Sequence, residues 1–190
     1  DDDTASRIET VNRLKRRAAL ASVGVAALLI IAKAGAWIAT GSVSMLSTLI
    51  DSLLDLAASL LNLLAIRQAA VPADREHRFG HGKAEPLAGL GQAAFIGGSA
   101  AFLLFEAGQR LMNPLPIANG AIGLIVMVFS IGLTLALVLY QKWVIRRTGS
   151  VAIGADSLHY TSDLLVNTGV IIALVLSTQL GWTRADPLIA

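Results

Sequence analysis

Two stretches of this chain place metal-binding side chains one helical turn apart inside otherwise apolar sequence. The first reads Asp51-Ser-Leu-Leu-Asp55 and the second Asp156-Ser-Leu-His159-Tyr-Thr-Ser-Asp163. Residues four apart share a helical face. Asp51 and Asp55 therefore form one acidic stripe, which begins near Ser47 and continues through Ser59 and Asn62. His159 and Asp163 form a second, continuing to Asn167, with Asp156 three positions before the histidine. If the stripes face each other, Asp51, Asp55, His159 and Asp163 offer three carboxylates and one imidazole. Such a set suits a tetrahedral Zn²⁺ with ligand distances of about 2.0–2.2 Å. Without metal, crowded carboxylates favour holding protons, so metal and protons become alternative occupants of one site.

A second cluster lies in the segment from Pro72 to Glu85, where Asp74, His77 and His81 could hold another Zn²⁺ with water or another group as the fourth ligand. Two of the three histidines occur there, and the third is His159. Lys33 and Glu106 are further charges within apolar stretches. The expected role for Lys33 is to snorkel or to neutralise a carboxylate, and Glu106 lies near the end of its stretch, where water is reachable. The chain has no cysteine, so any metal must be held by His, Asp or Glu.

The elements that must position these residues belong to a lipid environment. The chain is 55% hydrophobic and 15% charged, against about 25% charged in soluble domains. An ionisable group at the bilayer centre costs roughly 2.5–3.5 kcal/mol, so both stripes must face a bundle interior. Five stretches reach the roughly 20 apolar residues that a span needs: 18–40, 46–70, 87–112, 117–144 and 151–180. A sixth is expected to begin at Ala185 and to break off at Ala190. The expected fold is an all-α polytopic membrane bundle of five complete transmembrane helices and the start of a sixth. Residues 1–17 form an N-terminal segment, 18–190 the membrane domain, and a C-terminal cytoplasmic domain is absent. Glycines and alanines in the third stretch (Gly89, Gly91, Gly97, Gly98, Ala100, Ala101) predict close helix packing.

Twelve of the fifteen Lys and Arg residues lie before the first stretch, or at the end of or after the second and the fourth. The positive-inside rule puts those segments, with the amino terminus, in the cytoplasm. A net charge of +2 gives no reason to expect nucleic acid.

The segment from Gly41 to Asp55, the loop RFGHGKAE (Arg78 to Glu85) and ADSLHYTSD (Ala155 to Asp163) resemble the signatures of the cation diffusion facilitators, most closely bacterial ferrous-iron/zinc efflux members. The resemblance implies six membrane helices followed by a cytoplasmic α/β domain, a homodimer, and export of Zn²⁺ or Cd²⁺ for protons by alternating access. It implies a bacterial inner-membrane protein with no resident cofactor. Its transport site falls on Asp51, Asp55, His159 and Asp163, and its loop site on Asp74, His77 and His81. Lys83 matches a family lysine whose salt-bridge partner lies beyond Ala190.

Carboxylates suit harder ions such as Mn²⁺, and imidazole suits Zn²⁺ and Fe²⁺, which keeps Fe²⁺ and Mn²⁺ as alternative cargoes. A metal-dependent intramembrane hydrolase is the alternative from another class. It needs an open metal position and a base on bound water, and the sequence has no HExxH pair. A passive channel is a third possibility.

Overall fold

A computed structural model describes residues 2–41, 43–112 and 121–180. Among them the chain is all helix: α1 (Asp2–Thr40), α2 (Val43–Ala69), α3 (Ala84–Met112), α4 (Ala121–Thr148) and α5 (Val151–Leu180). The all-α expectation holds. Within the described residues, four stretches are long and apolar enough to cross a membrane: Ser6–Thr40, Met45–Ala69, Ala84–Phe105 and Ile122–Thr148. The fifth, α5, has 30 residues, and its first half carries the second polar stripe. The expected sixth helix from Ala185, and the side chain of Glu106, lie outside the described residues.

The N-terminal segment proves to be part of α1, which runs unbroken through the 17/18 boundary. Glycines stop two helices. Gly41 (φ 62°) returns its N–H to Trp37 O at 2.7 Å, and Gly149 (φ 61°) to Ile145 O at 2.8 Å. This left-handed residue just past the last turn satisfies carbonyls that the helix itself leaves unpaired. Ser150 then starts α5, its hydroxyl accepting from Ile153 N at 3.3 Å, as an N-cap serine does.

The helices close a ring in the order α1, α2, α3, α5, α4, with α5 also reaching α2 and α1. Thus α5 touches every other helix. One apolar core joins Ala18, Ala19, Leu63, Ile66, Val144, Ala152 and Ile153, and a second groups Leu137, Val138 and Tyr160. Large apolar side chains such as Ile31, Leu61, Leu104, Ile125 and Leu165 point outward, as a lipid-facing surface requires. Of the four glycines in α3 read as packing positions, only Gly89 meets a neighbour: a Cβ there would lie 3.1 Å from Val151 Cγ1. Gly91, Gly97 and Gly98 have open space around them, so their smallness serves no contact among the described residues.

Candidate metal centre

The two predicted stripes do meet. From α2, Asp55 Oδ1 lies 3.0 Å from His159 Nε2 of α5, and Asp163 Oδ2 lies 3.5 Å from the same nitrogen. One ligand atom from each of the three residues falls within 4.8 Å of the others. The i,i+4 spacing brings Asp163 beneath His159, and the antiparallel approach of α2 supplies Asp55. Two further contacts repeat along the same seam: Ser59 Oγ to Tyr160 Oη at 2.9 Å, and Asn62 Nδ2 donating to Ala152 O at 3.4 Å. The α2 stripe is therefore a zipper of polar groups onto α5. Phe95 of α3 meets the His159 ring edge-on, with centroids 5.5 Å apart, and this fixes the ring plane.

Exposure is graded across the centre. The side chain of His159 is 6% exposed, that of Asp55 17% and that of Asp163 35%. Toward the segment that joins α2 to α3, the seam is closed by the Ser59–Tyr160 pair and the core that includes Ala18 and Ile153. Asp51 stands outside the three-residue group and is exposed. It sits about 6 Å further along the axis of α2, one turn from Asp55.

Lys33 crosses from α1 to α2, where Nζ donates to Ser52 Oγ at 2.7 Å and to Thr48 O at 3.2 Å. Its ammonium is thus anchored on two neutral oxygens of α2.

The loop cluster also forms. Asp74, His77 and His81 bring ligand atoms within 4.8 Å of one another. Asp74 Oδ1 accepts backbone N–H groups from His77 at 2.6 Å and Glu76 at 3.0 Å, an Asx turn that fixes the carboxylate. The His77 N–H holds the Asp74 carboxyl below its ordinary value of 3.8; desolvation opposes this, and the Glu76 N–H and the two imidazoles reinforce it. His81 Nε2 lies 3.5 Å from Asp74 Oδ2, and its buried Nδ1 has no hydrogen-bond partner. The two histidine rings meet tilted by 41°, with centroids 4.4 Å apart. Gly80 (φ 75°) makes the turn between them.

Two polar hubs escaped sequence reasoning. Asp156 accepts from Ser22 Oγ at 2.6 Å, Gln141 Nε2 at 2.7 Å and Gln92 Nε2 at 3.0 Å, joining α1, α3 and α4 to α5. Glu85 takes Lys15 Nζ at 2.8 Å and the Ser150 hydroxyl. Polar residues inside long apolar runs (Ser22, Gln92, Gln141) were the available signal, because in lipid such groups need partners.

The chain is similar to known proteins along most of its length. It is 56% identical over 173 residues to the cation-efflux pump FieF of Shewanella oneidensis, covering 91% of this chain and 58% of that protein. It is 50% identical over 182 residues to the cation-efflux pump FieF of Klebsiella pneumoniae, and 49% to that of Citrobacter koseri, covering 96% of this chain and 60% of each relative. The chain thus spans about three fifths of the length of these relatives. The cation efflux transmembrane domain matches residues 19–190, and the chain belongs to that family.

Proposed function

We propose that this chain is the membrane part of a proton-coupled divalent-metal exporter whose cargo is Zn²⁺, with Cd²⁺ also accepted. The observation that carries this reading is the Asp55–His159–Asp163 group, gathered between α2 and α5 inside a bundle of apolar helices. Asp51 completes the ligand set from the next turn of α2. One imidazole among carboxylates favours Zn²⁺ over Mn²⁺, and Fe²⁺ and Mn²⁺ remain cargoes for the same route.

Five helices cross the membrane in this reading, with the amino terminus and the Asp74–His77–His81 loop in the cytoplasm of a bacterial inner membrane. The protein works as a homodimer. Facing inward, the site gives up protons and takes metal. Rocking of the helices turns it outward, where protons displace the ion. His159 carries one exchanged proton, because imidazole titrates within the working pH range. The loop cluster binds a second Zn²⁺ at the cytoplasmic face. The names of the relatives describe pumps, which favours transport over a hydrolase.

Vesicles containing the whole protein and a zinc-sensitive dye test the reading. An imposed pH gradient should drive Zn²⁺ flux, and Asp55→Ala should abolish it. Full flux in Asp55→Ala removes the site. Flux indifferent to the pH gradient marks a channel, and full exchange in His159→Ala removes the proton role of the histidine.

A further inference from the structure

Lys33 brings a fixed cation to the edge of the metal centre without being one of its ligands. Its ammonium is tied to Ser52 Oγ and Thr48 O. Ser52 is fully buried, follows Asp51 directly and precedes Asp55 by three positions, so the anchor lies on the side of α2 that faces the site. Asp51 and Asp55 flank Ser52 within one turn of α2, and Asp163 joins Asp55 at His159 Nε2. These are the three acids of the proposed transport site.

We propose that Lys33 sets the net charge of the metal centre, cancelling one carboxylate so that a divalent ion brings the loaded site to neutrality. This inference rests on the reading of Asp51, Asp55, His159 and Asp163 as cargo ligands. Three carboxylates and one ammonium leave two negative charges, and a neutral imidazole adds none. A divalent cation balances that, whereas a monovalent ion leaves the site negative and a trivalent one leaves it positive. Net charge enclosed among apolar helices is costly, so the neutral loaded state is the one that can be occluded and carried across. The same ammonium weakens the hold on the ion, which favours release. Arginine preserves this charge and methionine removes it.

Zn²⁺ titration calorimetry on the whole protein in lipid nanodiscs tests the role, with Asp74→Ala as the parent so that only the transport site is read. Lys33→Met should bind Zn²⁺ about tenfold more tightly, about 1.4 kcal/mol, and Lys33→Arg should stay within about twofold of the parent. In vesicles, Lys33→Met should turn over more slowly and Lys33→Arg normally. A lysine that merely staples α1 to α2 gives the opposite sign: weaker Zn²⁺ binding and a lower melting temperature in Lys33→Met. Unchanged or weaker affinity in a folded Lys33→Met protein overturns the inference. If Lys33→Met fails to fold, Lys33→Gln, which keeps a donor for Ser52 and Thr48, is judged by the same sign. Asp55→Ala separates the two levels. If it abolishes Zn²⁺ binding while the Lys33 variants match the parent, only the role of Lys33 fails. If it binds as the parent does, the metal reading fails and the inference with it.

Discussion

Asp156 and His159 stand three residues apart on α5, and the bundle gives them opposite company. His159 turns Nε2 to Asp55 at 3.0 Å. Asp156, fully buried, is ringed by neutral donors from three other helices: Ser22, Gln92 and Gln141. On the proposed reading one residue serves the cargo ion, and the other ties four helices together.

Removing the Asp156 acceptor should therefore harm the fold before it harms binding. Asp156→Ala strands Gln92 Nε2, while Ser22 Oγ keeps Ala18 O at 3.2 Å and Gln141 Nε2 keeps Ser22 Oγ at 3.0 Å, and should cost about 1–3 kcal/mol, the penalty of one unsatisfied buried group. Asp156→Asn keeps one acceptor and should cost about 1–2 kcal/mol, with Zn²⁺ affinity within a few fold of the parent. Unfolding in detergent micelles measures both. An Asp156→Ala protein as stable as the parent defeats the assignment.

Glu85 ties the start of α3 to Lys15 of α1 and to the Ser150 cap of α5. Lys15 and Glu85 are 18% and 11% exposed in their side chains, so losing one partner leaves a charge poorly solvated. Glu85→Ala should cost about 2–3 kcal/mol, and Glu85→Gln less. Limited proteolysis within residues 70–83 should speed up in the alanine variant, and equal cleavage rates count against the tie.

At Gly89, α3 passes so close to α5 that a methyl group would meet Val151 Cγ1 at 3.1 Å. Gly89→Ala should be nearly neutral, because the Val151 side chain can turn aside. Gly89→Leu should force the helices apart at about 1–3 kcal/mol and weaken Zn²⁺ binding, because Phe95 of α3 braces the His159 ring. A leucine variant with parental stability and affinity shows that the close approach is dispensable.

The loop acid predicts a pH dependence with a definite sign. Asp74 titrates below its ordinary 3.8 because the His77 N–H, foremost, donates to its ionised form. Its folded value lies under its unfolded one, so its support for the turn is complete above about pH 3.8 and fades only as pH drops through the folded value. A carboxyl-carbon NMR titration should place its midpoint below 3.8. Asp74→Asn should lose the titration and weaken metal at His77 and His81, leaving the Asp55 centre untouched. A midpoint at or above 3.8 refutes the Asx geometry.

Much of this arrangement was legible in the residues themselves. The cost of carboxylates in lipid forced the Asp55 and His159–Asp163 stripes inward and toward each other, and histidine spacing marked the loop cluster. Periodicity tells which residues share a face and is silent on which neighbouring helix that face meets. Asp156 lies a turn from His159 and looked like part of the same stripe, yet Gln92 and Gln141 claim it. The same silence covers Lys33, which finds Ser52 and Thr48 as its hydrogen-bond acceptors, and Glu85, whose partners are 70 and 65 positions away. Helix ends also shifted. α3 begins at Ala84 and α4 ends at Thr148, because charged residues extend a helix into water where hydropathy falls.

The unbroken α1 has a mechanical consequence. Its 39 residues make a rod about 58 Å long, close to twice the roughly 30 Å depth of the hydrocarbon layer. If the helices rock as proposed, a small tilt where Lys33 and Ser22 sit becomes a wide sweep at Arg7, and the amino-terminal tip becomes a pointer. A spin label placed there would register rearrangement of the cargo centre from well outside the lipid.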